Sequence, residues 1–397
     1  MIHNLPLRTR LVHRSASGCL LASIALLGLA ACSTAQDRRE PQTNTSTTPA
    51  QTGYEIRTET QTGGFTIRHA EWTELGYRWD WTGFPAVQQR EAVRFVDVYD
   101  DILIVQGSSS AMTIMESVTG RNRWVDRPAT ALTRFVGSVR DGNILYNCAD
   151  AEVYIIDLSN GNWLGRQSFE EVVNTRPLFD RGTLIFGTSK GNIFAHRTDF
   201  GVRSWKYSVG APIEADLAMV QGFIAAIGQN GQVLFVDPHT AGGFGRPGTG
   251  GRMATNPITD GSLLFAACTD QSLYAFTPGF DKHAWRYRTN EALMIQPTYH
   301  NGVVYLTVPG TGLVALDAAT GSERWIGSDA GGEVIAMRAG SLIVWDGRSV
   351  KSVDPTNGDV ISTCPAPGIS LVKANRFDEG SLFALTRNNA IIRFSPR

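Results

Sequence analysis

Eight short apolar phrases recur along this chain at a nearly constant interval. DILIVQG begins at Asp101, GNILYNC at Gly142, GTLIFGT at Gly182, GFIAAIG at Gly222, GSLLFAA at Gly261, GVVYLTV at Gly302, GSLIVWD at Gly340 and GSLFALT at Gly380. Successive starts are separated by 41, 40, 40, 39, 41, 38 and 40 residues. A unit of that length with β-branched strands and no long helical periodicity holds about four strands, which reads as one propeller blade per repeat. Helical and leucine-rich solenoids have other periods or need helices, and a β-sandwich has no reason for eight equal units. The predicted fold is an all-β, eight-bladed β-propeller of four-stranded blades.

A second phrase follows the first in each unit. An acidic position is held by Glu116, Asp157, Asp237, Asp317 and Asp354. The corner after it reads Thr119-Gly120, Asn160-Gly161, Thr320-Gly321 or Asn357-Gly358, where glycine supplies the positive φ of a tight turn. The next strand carries Trp124, Trp205, Trp285 or Trp325. These residues are expected to be framework. The acid ties the corner by side-chain hydrogen bonds, and the indole packs between blades that cannot bury their own faces alone.

The ring must also close. The last unit, GSLFALTRNNAIIRFSPR, stops after two strands and lacks its Trp-bearing strand. YRWDWTG (77–83), within LGYRWDWTGFP (75–85), parallels AWRYRTN (284–290), so residues near Tyr77–Trp81 are predicted to complete the eighth blade. An N-terminal strand in the last sheet removes the open edges that invite aggregation. The repeat region is thus about 75–397 within a body of 54–397, and residues 54–72 fall outside the repeat pattern.

The N-terminus is a different kind of sequence. Arg8, Arg10 and Arg14 precede the apolar run CLLASIALLGLA (19–30), which is short for a membrane span but fits an export signal. The run ends in Leu29-Ala30-Ala31-Cys32, which resembles the bacterial lipoprotein box. That resemblance implies a signal peptide at 1–31, a lipid on Cys32 and an outer-membrane location facing the periplasm, since Ser33 is not the aspartate of inner-membrane retention. STAQDRREPQTNTSTTPAQTG (33–53) lacks Leu, Ile, Val, Phe, Trp and Tyr, so residues 32–53 read as a flexible lipidated tether with a reach of roughly 25 Å. The formal charge of −1 becomes −4 once residues 1–31 are removed, which suggests no bulk attraction to nucleic acid.

No catalytic chemistry is expected. Cys148, Cys268 and Cys364 are scattered, and the first two sit in apolar strands where a buried free thiol is the simplest reading. His69, His196, His239, His283 and His300 show no zinc-ligand spacing. Gly243-Phe244-Gly245-Arg246-Pro247-Gly248 matches G-x-G-x-x-G, but no helix follows to present its N-terminus to a phosphate, so it reads as a surface loop. The stretch 354–359 lies on a repeat corner and lacks the terminal glutamate of a calcium loop. No cofactor and no metal are expected. Contact loops are sought instead at Arg246–Arg252 and Arg376–Glu379.

Residues 315–325, ALDAATGSERW, resemble the full consensus of the pyrroloquinoline-quinone-type propeller repeat. Together with the lipoprotein box and the tether, the chain resembles the BamB family of outer-membrane assembly lipoproteins. The resemblance implies a non-enzymatic scaffold that docks on the barrel-inserting subunit and helps deliver unfolded barrel proteins. Two other readings belong to the same architecture, a ligand-binding or sensor propeller and a quinone-dependent dehydrogenase relative. The dehydrogenases resembling this chain carry long insertions and adjacent cysteines, which the even spacing and scattered cysteines here do not match.

Overall fold

The computed structural model describes residues 58–88 and 91–397. The signal peptide, Cys32 and the tether expected at 1–53 lie outside the described residues.

Eight antiparallel sheets follow one another along the chain. Blade 1 spans 93–126, blade 2 135–168, blade 3 178–208, blade 4 218–236, blade 5 258–288, blade 6 298–327, blade 7 333–365 and blade 8 369–396. The second and third strands of each blade are almost wholly apolar and buried, as in Ile102–Gly107 and Val303–Val308. Period-two alternation is missing there because both faces of these strands meet neighbouring blades. One interblade core joins Phe265 and Leu273 of blade 5 to Val304, Leu306 and Val314 of blade 6. Each such buried side chain contributes about 1.5–3 kcal/mol. The fourth strands do alternate, with one face toward solvent.

The ring closes as the sequence predicts. Tyr77–Gly83 pairs with Ile391–Pro396, in the register Tyr77↔Pro396, Trp81↔Arg393 and Gly83↔Ile391. It supplies the fourth strand of blade 8.

Blade 4 departs from the four-strand expectation. Its sheet has three strands, and 243–248 runs beside the third through isolated bridges Val236↔Gly243 and Gln232↔Gly248. The segment holds three glycines and Pro247, which lacks the N–H a ladder needs, so an irregular edge replaces a strand. This also corrects the reading of G-x-G-x-x-G as a plain surface loop: it is the edge of the blade.

Residues 58–76 have a place the repeat pattern did not reveal. A hairpin, Glu59–Thr62 with Phe65–Arg68, turns on Gly63 and Gly64 at φ 57° and 80° and leads into the short helix His69–Glu74. Phe65, Ile67, Trp72 and Leu75 form one core with Trp345, Val350 and Cys364 of blade 7 and Phe394 of blade 8. This unit seals the seam between the last two blades. Among the described residues no helix is long and apolar enough to cross a membrane.

Candidate functional site

The acidic corners are hydrogen-bonded hubs. Asp317 Oδ1 accepts from the backbone N–H of Thr320 and from its hydroxyl, both at 3.0 Å, while Oδ2 accepts from Arg324 at 2.7 Å. Gly321 N–H closes the corner on the Asp317 carbonyl at 2.8 Å. Asp157 accepts from Ser159 N–H at 2.8 Å, Asp237 from His239 N–H at 2.7 Å and Asp354 from Thr356 N–H at 2.8 Å. Donors at hydrogen-bond distance hold all four carboxyls below their usual pKa.

Each corner is also where the preceding blade attaches. Trp124 Nε1 donates to Leu158 O at 2.9 Å, Trp205 to Pro238 O at 2.9 Å, Trp285 to Ala318 O at 3.0 Å and Trp325 to Pro355 O at 2.8 Å. The acceptor always follows the corner acid by one residue. Trp81, on the closing strand, does the same to Ser117 O at 3.2 Å. The corner glycine lies under the indole: a Cβ on Gly321 would stand 2.5 Å from the Trp285 ring, and one on Gly120 2.4 Å from Trp81. Sequence reading found four of these tryptophans and missed the role of Trp81, whose spacing is hidden by its position at the other end of the chain.

Three junctions lack the tryptophan, each with a compensating change. Gly165 stands at the tryptophan register of blade 2. Gln167 takes over, donating to Thr198 O at 2.8 Å and accepting from His196 Nε2 at 2.9 Å. The corner it meets has Arg197 in place of the acid, and Asp199 neutralises that arginine. In blade 4, Phe244 packs on the corner Gly279 of blade 5. In blade 7 the register residue is Ser362, and blade 8 ends without a corner. The hairpin and helix of 58–76 fill that gap.

The two candidate contact loops are knitted into the ring. Arg246 N–H donates to Asp281 at 3.1 Å, its guanidinium reaches Ser208 O at 3.3 Å, and Arg252 O accepts from Thr269 N–H. Arg376 grips Asp100 of blade 1 at 2.9 and 3.0 Å, while Glu379 pairs with Arg338 of blade 7. Both stretches hold blades together. The three cysteines are free and buried, and burial pushes the Cys268 thiol up to about 12, far from a reactive thiolate.

Sequence reading missed a polar belt about the axis. The first strands of consecutive blades lie against one another, which places them innermost. At their entries, Arg176 N–H donates to Asp216 at 2.9 Å, Asp216 N–H to Asn256 at 2.9 Å and Asn256 N–H to Gln296 at 3.0 Å. Arg176 also pairs with Asp97, which accepts from Ser138 at 2.5 Å. Lys373 donates to Val96 O at 2.9 Å. Burial lowers the Lys373 pKa and raises those of Asp216 and Glu333. The 40-residue spacing of 176, 216, 256 and 296 was a signal for this belt, obscured because the four residue types differ. A separate open cleft of about 940 Å³ lies at the seam of blades 8 and 1, lined by Val87, Gln88, Glu91, Arg387, Asn388 and Asn389 among others.

Residues 240–371, about a third of the chain, match a family model described as outer membrane protein assembly factor BamB. No curated protein matches the chain significantly. Among solved structures, BamB from Moraxella catarrhalis superposes with a TM-score of 0.62 at 15% identity, covering 80% of this chain and 99% of that one. The computationally designed Ika8 protein superposes at 0.65 with 11% identity, covering 79% and 100%. With its repeat and its closed eight-bladed ring, the chain has the propeller fold seen in BamB, and its residues 240–371 are similar to that family's repeat.

Proposed function

We propose that this protein is a non-enzymatic, lipid-anchored scaffold of outer-membrane protein assembly, held to the membrane through Cys32 and facing the periplasm. The observation that carries the reading is the match of residues 240–371 to the BamB assembly-factor family within a ring whose repeated residues are spent on holding blades together. Its mechanism is confinement: the anchor and the tether of 32–53 keep the propeller beside the barrel-inserting subunit and raise its effective concentration there. Unfolded barrel clients are the second class of partner, held through face loops or free strand edges. The buried, high-pKa thiols support a binding role over nucleophilic catalysis.

The test is crosslinking of the native protein in intact cells, recovery from outer membranes and mass spectrometry of what is attached. Recovery of the barrel-inserting subunit above a Cys32→Ser control is the expected result. Its absence, with an unrelated envelope protein dominating, overturns the assembly role and leaves the architecture standing.

A second reading rests on the axial belt. Charged Asp97, Arg176, Asp216, Glu333 and Lys373 come from five blades, and the four others all act on the charge of Lys373. A small polar ligand in the axial channel is the occupant such a cluster would accept, and isothermal titration against a Lys373→Met variant tests it.

A further inference from the structure

The fourth strand of blade 1, Asn122–Asp126, is the edge of its sheet. Trp124 and Asp126 point toward blade 2, where Trp124 reaches Leu158 and Asp126 accepts from Trp163 at 2.6 Å. By strand alternation Arg123 and Val125 point the other way, with Arg127 following in step. Arg121 leads into the strand from the corner. All three arginines are exposed, and Val125 is 44% exposed between two of them. Phe84, 62% exposed, sits beside the start of the strand, its carbonyl accepting from Asn122 at 3.1 Å.

Arg78, Arg166, Arg181, Arg203 and Arg324 are also exposed, and each pairs with an acid. Arg324, one residue before Trp325, pairs with its corner Asp317. Arg123 occupies the same place before Trp124, yet forms no ion pair with its corner acid Glu116, which accepts from Thr119 at 2.7 Å. The other nearby acids are engaged as well. Asp101 holds Arg140 at 2.6 Å, Glu91 accepts from the backbone N–H of Gln88 and Ser109, and Asp126 is taken by Trp163 and by the N–H of Arg127. Among the described residues none of the three guanidiniums forms an ion pair, while 16 other basic groups do.

We propose that the outer edge of Asn122–Asp126 is a docking site for an extended acidic polypeptide segment of an envelope partner. The segment adds to blade 1 as a fifth strand, its backbone pairing with the free edge. Its side chains alternate between faces, so acids four residues apart meet Arg123 and Arg127, and an apolar residue midway between them covers Val125. An anionic membrane would also be drawn to three arginines, but it has no use for an unpaired strand edge. The site stands independently of the assembly role, since it asks only for a partner chain of this pattern.

The probe is a fluorescein-labelled ten-residue peptide with glutamate at every fourth position, valine midway between glutamates and threonine elsewhere. Fluorescence anisotropy follows its binding to the mature protein. Controls are a peptide of the same composition with the glutamates clustered, and the patterned peptide N-methylated at every second residue. The patterned peptide is expected to bind, weakening as salt rises. A double Arg123→Glu, Arg127→Glu variant with an unchanged Tm should lose about tenfold in affinity or more. The clustered and N-methylated peptides should bind no better than that variant. Equal binding of all three peptides, or full binding by the variant, overturns the proposal. Capture of anionic phospholipid vesicles without peptide binding overturns it too, in favour of a membrane contact.

Discussion

The indole of Trp72 stacks on the ring of Phe394 with centroids 3.5 Å apart and planes 9° from parallel. One residue lies before the repeats and the other on the last strand of the last blade. The contact therefore joins the two ends of the chain at the one junction that has neither a register tryptophan nor a corner.

Trp72→Ala should destabilise the propeller by about 3–5 kcal/mol, as expected for removing a buried aromatic. The indole N–H finds no acceptor among the described residues, so Trp72→Phe keeps the stacking and loses no hydrogen bond. The Phe variant should therefore stay close to wild type. Urea unfolding of both variants checks the difference.

At an ordinary junction the balance is reversed, because Trp285 uses its N–H on Ala318 O. Trp285→Phe should cost about 1 kcal/mol through the lost bond. Gly321→Ala should cost about 1–3 kcal/mol, since it forces a Cβ to 2.5 Å from the Trp285 ring at a backbone φ of 72°. The double mutant should fall short of the sum, because both changes act on one contact. A double-mutant cycle by thermal unfolding measures that coupling.

The exceptional junction of blades 2 and 3 should be the pH-sensitive one. His196 is buried, and burial lowers its pKa from 6.5. Its Nε2–H donates to Gln167 Oε1, whose amide nitrogen is committed to Thr198 O. The unfolded chain takes up a proton on this ring at a higher pH than the folded one. Stability from this group is thus fully present above pH about 6.5 and declines as pH falls below it. Wild-type Tm should drop between pH 7 and 5 more steeply than that of His196→Gln.

The corner acid Asp317 predicts the behaviour at lower pH. Arg324, then Thr320, hold its carboxyl below the ordinary value of 3.8. Its contribution is complete above that value and disappears as pH falls through the lowered pKa. Asp317→Asn should therefore be less stable than wild type at pH 7, and the gap should close toward pH 2. Urea midpoints at the two pH values test it.

Much of this was legible beforehand. The interval near 40 residues specifies the blade, because a four-stranded sheet buried on both faces needs a fixed length of chain, and the parallel between YRWDWTG and AWRYRTN specifies how the ring closes. The corner acids and the register tryptophans were visible because each interface poses the same packing problem and is answered by the same residue types. Where the answer changes type, the pattern goes silent: Gln167 with His196, Phe244 on Gly279, and the differing members of the axial belt all do repeated work with unlike residues.

The sequence by itself determined the number of blades, the corner framework and the strand that closes the ring, since these follow from periodicity and from chemistry local to one repeat. Only the tertiary structure decided what seals the last junction, which acids are already engaged, and hence which arginines stand without partners. Those are properties of residues far apart in the chain: Trp72 meets Phe394, Arg376 meets Asp100, and Asp97 meets Arg176. No spacing rule connects them, because blade-to-blade contact depends on how the whole ring closes.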